Sequence, residues 1–122
     1  AAAALAALKV IEEEPQRVQR LHENSRYFAQ QLCQVGFSFR NSVTAIFPII
    51  CGDDWQAWRL ARYCQKQGIY VQAIPHPVVP KGTARLRAAV TAAHRQEDLD
   101  YCLEVLLKGA REDGTIERFA FI

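Results

Sequence analysis

The stretch PHPVVPKGTARLRAAVTAAH, from Pro75 to His94, joins a proline-rich segment to a run of small, apolar and basic residues. Its three prolines fix the backbone and remove amide donors, so this segment is predicted to be a rigid loop rather than a paired strand. The residues after Lys81 and Gly82, from Ala84 to Val90, predict a β-strand. The stretch therefore predicts a rigid loop followed by a β-strand.

Two arginines lie on this predicted strand and are constrained by its geometry. Successive side chains of a strand point to opposite faces, so Arg85 and Arg87 share one face while Leu86, Ala88 and Val90 share the other. A guanidinium stays charged and can bind a carboxylate through two parallel hydrogen bonds. Strand geometry alone leaves two interpretations open. The pair can be solvated surface residues that contact local acids, or it can form a site for an anionic ligand.

Two further runs predict the remaining strands of a sheet. TAIFPIIC, from Thr44 to Cys51, is short, apolar and rich in isoleucine, and Ile69 to Ile74 leads directly into the proline loop. Pro48 has no amide hydrogen to donate within the first run. We therefore expect that strand to lie at an edge of the sheet or to contain a bulge.

Helical patterns separate and flank these strands. The alanine-rich residues 1–13 predict one helix, Pro15 restarts a second that Gly36 ends, and Asp53 or Asp54 caps a third over residues 55–67. A last helix is predicted from Gln96 to Leu107. The apolar face of the second helix consists of Val18, Leu21, Ser25, Phe28, Leu32 and Val35. This order predicts an α/β (α+β) fold, a sheet of about three strands with helices packed on it.

Composition limits the possible functions. The 122 residues fit one domain, 50% are hydrophobic, and the net charge of +2 is too small and too scattered to indicate nucleic acid. No run is long enough to span a membrane, and the cytoplasm is the expected compartment. The four cysteines lack a C-x-x-C pair, so we expect buried free thiols and no metal site. The three histidines are far apart and are expected to be structural.

The passage GIYVQAIPHPVVPKGTARLRAAVTAAHRQEDLD, together with TAIFPIICGDD before it, resembles the C-terminal domain of the α-oxoamine synthases. These are pyridoxal-phosphate enzymes of fold type I, related to the class II aminotransferases, and include the 8-amino-7-oxononanoate synthases and 2-amino-3-ketobutyrate CoA ligases. The family's G-I-x-V strand, P-x-V-P loop, G-x-A-R-hydrophobic-R strand and closing A-A-H occur here in order. The resemblance covers residues 1–109.

The resemblance implies an activity and a set of site residues. Members condense an amino acid with an acyl-CoA or acyl-carrier thioester, usually with decarboxylation, and act as homodimers. The second arginine of the R-x-R strand, Arg87 here, holds the carboxylate of the amino acid. Arg85 is expected to support the strand. Pro77, Val78 and Pro80 correspond to the loop at the substrate entrance, and Val78 stands where the oxononanoate synthases commonly carry a threonine.

The resemblance also implies that part of the active site lies outside this chain. Residues 1–14 are expected to be a connecting helix from a large domain, 15–109 the C-terminal small domain, and 110–122 a tail. Pyridoxal phosphate would be bound by that large domain, because none of the four lysines sits in the family's Schiff-base motif. The fragment alone is therefore expected to be inactive. Three alternatives remain. The chain could be the small domain of an ordinary aminotransferase, a non-catalytic module that binds an acidic ligand, or a structural or interaction domain with no ligand.

Overall fold

The computed structural model describes residues 1–37, 39 and 43–112. Within these residues the chain forms four helices and three strands, which confirms the predicted α/β fold. In chain order the elements are α1 Ala2–Glu13, α2 Gln16–Gln34, β1 Ile46–Gly52, α3 Asp54–Lys66, β2 Gln72–Ile74, β3 Ala84–Ala89 and α4 Gln96–Glu112.

The three strands form one antiparallel sheet in the order β1-β3-β2. Because β1 pairs with β3 alone, Pro48 lies on an edge strand and its missing amide donor leaves no gap inside the sheet. The pairing register also shifts between Ile50 and Gly52, which is a bulge or irregularity near the end of β1. Both structural consequences expected from Pro48 are therefore observed, although the bulge follows the proline instead of including it.

The core lies between one face of the sheet and the helices. Phe47 and Ile49 of β1 and Leu86 of β3 are almost fully buried on this face. Phe28 of α2 packs edge-on against Phe47, with ring centroids 5.2 Å apart. The opposite face of the sheet carries Arg85, which is half-buried, and Arg87, which is exposed. We call this opposite face the arginine face.

Strand β2 is shorter than predicted. The pattern predicted a strand from Ile69, whereas pairing begins at Gln72. Gly68 adopts a left-handed conformation with φ of +81°, and the Ile69 amide donates to the Cys64 carbonyl at 2.9 Å. These residues close the end of α3, so their backbone is not available for pairing with β3.

Helix α4 is longer than predicted. We expected it to end at Leu107, but it continues through Gly109 to Glu112. Gly109 is buried against α3, and a Cβ atom there would lie 2.6 Å from Tyr63 Cδ1. The glycine therefore permits close helix packing and does not end the helix. The first three residues of the predicted tail are helical, and residues 113–122 lie outside the described part of the chain.

Helix α1 and the start of α2 contribute little to the core. Helix α1 has no buried residue, and Val18 of α2 is 38% exposed because it lines an open groove beside Ile11. Cys33 was predicted to be buried but is exposed on α2, whereas Cys51 and Cys64 are buried. Throughout residues 1–37, 39 and 43–112, no helix has the length and hydrophobicity needed to cross a bilayer.

Candidate functional site

The arginine face forms the floor of an open cavity of about 550 Å³. Arg85, Arg87 and Val78, three of the five predicted site residues, line it together. Pro77 and Pro80 belong to the same loop as Val78 but do not line the cavity. The remaining lining residues come from the two outer strands and the segment before β1: Thr44, Ile46, Pro48 and Ile74.

Arg87 lies at the centre of the sheet, opposite Pro48 of β1 on one side and Gln72 of β2 on the other. Its Nη2 donates to Gln72 Oε1 at 2.6 Å. The side chain is exposed, and it forms no ion pair with a carboxylate in the described part of the chain. A fixed guanidinium that keeps its full charge can bind an anion from solution.

Arg85 is held differently from Arg87. It is half-buried, and its Nε donates to the backbone carbonyl of Thr83 at 3.1 Å. Thr83 is in turn bonded to the end of the proline loop, because its amide donates to the Pro80 carbonyl at 3.0 Å. Arg85 therefore connects the start of β3, through Thr83, to the proline loop that borders the cavity.

The proline loop is fixed to helix α3. The His76 amide donates to Asp54 Oδ1 at 3.0 Å, and the His76–Pro77 peptide is cis. The neighbouring aspartate performs a separate task, since Asp53 Oδ1 accepts from the Gln56 amide at 2.7 Å and caps α3. The sequence predicts either aspartate as the cap of α3. The role of Asp54 in holding the loop follows only from the three-dimensional position of the loop beside the start of α3.

The turn after β3 is fixed to helix α2. Asn24 Nδ2 donates to the carbonyls of Thr91 and His94 at 3.0 and 2.9 Å, and the Thr91 amide donates to His94 Nδ1 at 3.0 Å. His94 thus has a structural role, as predicted. Asn24 was not among the predicted site residues, because a polar residue on an amphipathic helix gives no signal of a contact with a residue 67 positions away.

The chemistry available at the cavity is binding rather than proton transfer. Among the described residues, its lining contains two guanidinium groups, one hydroxyl and apolar walls, with no lysine, histidine, cysteine or carboxylate. Two of the thiols are poor nucleophiles, since burial raises the pKa of Cys64 to about 12 and that of Cys102 to about 11. Among the described residues, no group of three or more histidines, cysteines or carboxylates could hold a metal ion. The arginine face can therefore bind and orient an acidic group, while the reacting groups would have to come from elsewhere.

Comparison with known proteins agrees with this architecture. Residues 1–106 match the aminotransferase class I and II family. The chain belongs to this family.

Curated relatives in the family are similar over nearly the whole chain. The 8-amino-7-oxononanoate synthase of Symbiobacterium thermophilum is 46% identical over 116 residues, which are 95% of this chain and 30% of the relative. The 8-amino-7-oxononanoate synthase/2-amino-3-ketobutyrate coenzyme A ligase of Thermus thermophilus is 42% identical over 114 residues, 93% of this chain and 29% of the relative. The chain thus spans about 30% of the length of these relatives.

Solved structures show the same fold. The serine palmitoyltransferase of Sphingomonas wittichii is 29% identical with a TM-score of 0.75, and the match covers 80% of this chain and 25% of that one. The 8-amino-7-oxononanoate synthase of Francisella tularensis is 21% identical with a TM-score of 0.77, over 92% of this chain and 32% of that one. At this lower identity the likeness concerns the fold alone.

Proposed function

We propose that this chain is the C-terminal small domain of a longer pyridoxal-phosphate-dependent enzyme that condenses an amino acid with an acyl-CoA or acyl-carrier thioester. The names of the relatives and the share of their length that the chain spans support this proposal. The observation that carries it is the arginine face, a cationic surface that is open to solvent and faces away from the helices.

Arg87 binds the carboxylate of the amino acid in this proposal. The guanidinium lies at the centre of a three-stranded sheet and is held by one neutral partner, Gln72. Most of its five N–H donors therefore remain available for a bidentate contact. By fixing the substrate at a point remote from the reacting bonds, Arg87 aligns those bonds with the catalytic groups of the enzyme.

The proline loop forms one wall of the substrate entrance. Val78 is 74% exposed and lines the cavity, while Pro77 and Pro80 stiffen the loop on either side of it. Arg85 supports the site from the start of β3 through its bond to Thr83. An apolar wall beside a fixed cation suits a substrate with a charged carboxylate and an apolar remainder.

The cofactor belongs to the part of the enzyme outside this chain. Pyridoxal phosphate, when bound, supplies the electron sink that stabilises the carbanion formed from the amino acid. A holder of this cofactor needs a lysine at the site, and none lines the arginine face. The described residues therefore do not fit the cofactor, and the chain alone is inactive in this proposal.

The same proposal assigns the domain organisation. Residues 1–14 form the connecting helix, residues 15–109 the small domain, and residues 110–122 the tail, although α4 already continues into the first of these tail residues. The longer enzyme is a cytoplasmic homodimer. The exposed apolar side chains of α1 support a role as a connector, because none of them is buried within the described part of the chain.

The test is the substitution Arg87→Ala in the longer enzyme. We expect the KM for the amino acid to rise about 10- to 100-fold and kcat/KM to fall accordingly, because two charge-assisted hydrogen bonds to the substrate are lost. Arg62→Ala is the matched control, since Arg62 is exposed on α3 and lines a different groove. Unchanged kinetics for the Arg87 variant would reject the carboxylate role. Binding of acetate by the chain alone, with no activity in any longer form, would favour the non-catalytic module.

A further inference from the structure

Within the described part of the chain, Gln72 makes the one side-chain hydrogen bond to the Arg87 guanidinium. The two residues are directly opposite each other on β2 and β3, so their side chains lie on the same face of the sheet. Directly opposite residues are closer together than diagonal neighbours on the two strands. The distance from Arg87 Nη2 to Gln72 Oε1 is 2.6 Å, a short hydrogen bond with an ionised donor. Both Gln72 and Arg87 are exposed, so this hydrogen bond forms at the surface of the sheet.

The chemistry of the two groups fixes the direction of this bond. A guanidinium only donates, so the atom that faces it must be the amide oxygen of Gln72 and not the amide nitrogen. A glutamine oxygen is neutral and leaves the positive charge of Arg87 unpaired. A glutamate at the same place would form an ion pair and would compete with any incoming carboxylate for the same donors.

We propose that Gln72 is a positioning residue that sets the orientation of Arg87 and thereby the affinity of the site for the substrate carboxylate. This inference rests on the proposed carboxylate role of Arg87. Gln72 restricts the rotamers of a long side chain before the substrate arrives, so less conformational entropy is lost when the carboxylate binds. It does not contact the reacting atoms, and its effect is therefore on binding of the amino acid and not on the chemical step.

The experiment compares Gln72→Ala and Gln72→Glu with wild type in the longer enzyme. For Gln72→Ala we expect the KM for the amino acid to rise about three- to tenfold with kcat within about twofold, because one charge-assisted hydrogen bond is lost. For Gln72→Glu we expect a rise of about tenfold or more, because the carboxylate occupies Arg87. Gln30→Glu adds the same charge on an exposed turn of α2 and should leave both constants unchanged.

A double-mutant cycle separates this inference from the proposed function. If Gln72 acts through Arg87, Gln72→Glu should add no increase in KM once Arg87 is alanine. A normal KM for Arg87→Ala overturns the carboxylate role and this inference together. A raised KM for Arg87→Ala with wild-type constants for both Gln72 variants overturns this inference alone. An undiminished effect of Gln72→Glu in the Arg87→Ala background also overturns it, because Gln72 would then act independently of Arg87.

Discussion

Gly109 is the residue where local preference and packing conflict most clearly. Glycine in the interior of a helix is about 1 kcal/mol less favourable than alanine. At this position, however, an added Cβ would lie 2.6 Å from Tyr63 Cδ1 and 2.8 Å from Leu60 Cδ1. Contacts this close require the side chains or the helices to move, and overpacking of this kind typically costs about 1–3 kcal/mol.

We therefore predict that Gly109→Ala destabilises the chain by about 1 kcal/mol, with the steric cost exceeding the gain in helix propensity. Chemical denaturation of the 122-residue chain measures the change in the free energy of unfolding. Lys108→Ala, an exposed neighbour on α4, should change it by no more than about 0.5 kcal/mol. A stabilised Gly109→Ala protein would mean that helices α3 and α4 separate at little cost.

Individual side chains differ in how far the sequence predicts them. The shared face of Arg85 and Arg87 follows from the two-residue period of a strand, so no knowledge of the partner strands was needed. Gln72 could not be assigned to Arg87, because that contact depends on the register between β2 and β3. Asn24 could not be assigned to the turn after β3, because it joins elements far apart in the sequence.

At the scale of elements, type was predicted more accurately than length. Pro48 indicated an edge strand through a property of its own backbone, and β1 is at the edge. The ends of β2 and α4 depend instead on neighbours. Residues before Gln72 close α3, and Gly109 is retained inside α4 by the surface of α3. A pattern along one segment does not contain these constraints.

Helix α4 begins with a charge-assisted contact that makes its stability depend on pH. The Arg95 amide donates to Asp98 Oδ2 at 2.8 Å, and the Arg95 guanidinium lies beside the same carboxylate. The backbone hydrogen bond and the guanidinium both lower the pKa of Asp98 below its usual value. A carboxyl group with a lowered pKa in the folded state stabilises that state above its unfolded pKa, and this stabilisation is lost as the pH falls through the folded pKa.

We predict that Asp98→Asn flattens the acid side of the stability profile. Below about pH 4, near the ordinary pKa of an aspartate, the Tm of the wild-type chain should decrease more steeply with falling pH than the Tm of the variant. At still lower pH the two Tm profiles should converge, because Asp98 is then protonated in the wild type. Thermal unfolding followed by circular dichroism at a series of pH values measures this difference. Glu104→Gln removes an exposed carboxylate from the middle of α4 and should keep the wild-type profile. Identical slopes for Asp98→Asn and wild type would contradict the prediction.

At the scale of the whole molecule, the two faces of the sheet differ in exposure within the described residues. Phe47 and Leu86 are buried beneath the helices, while the arginine face and helix α1 remain exposed. Beside α1 lies an open groove of about 820 Å³, lined in part by Ile11 and Val18. A charged sheet face and an apolar helix exposed on the same small unit are both explained if the rest of a longer enzyme packs against them.

Leu8 tests this explanation through stability rather than activity. It is 59% exposed on α1, and Leu5 and Ile11 are exposed one turn to either side, so the three form an apolar stripe. Leu8→Ala keeps a strong helix former at the position and removes apolar surface alone. In the 122-residue chain we expect the free energy of unfolding to change by no more than about 0.5 kcal/mol.

In the longer enzyme the same substitution should cost about 2 kcal/mol or more, because a leucine buried between domains would be truncated. Lys9→Ala, at the neighbouring exposed position on α1, should be nearly neutral in both proteins. The comparison is informative because the substitution is identical and the surroundings alone differ. An equally small effect of Leu8→Ala in both proteins would mean that α1 stays exposed in the longer enzyme, and the connecting role of residues 1–14 would then be wrong.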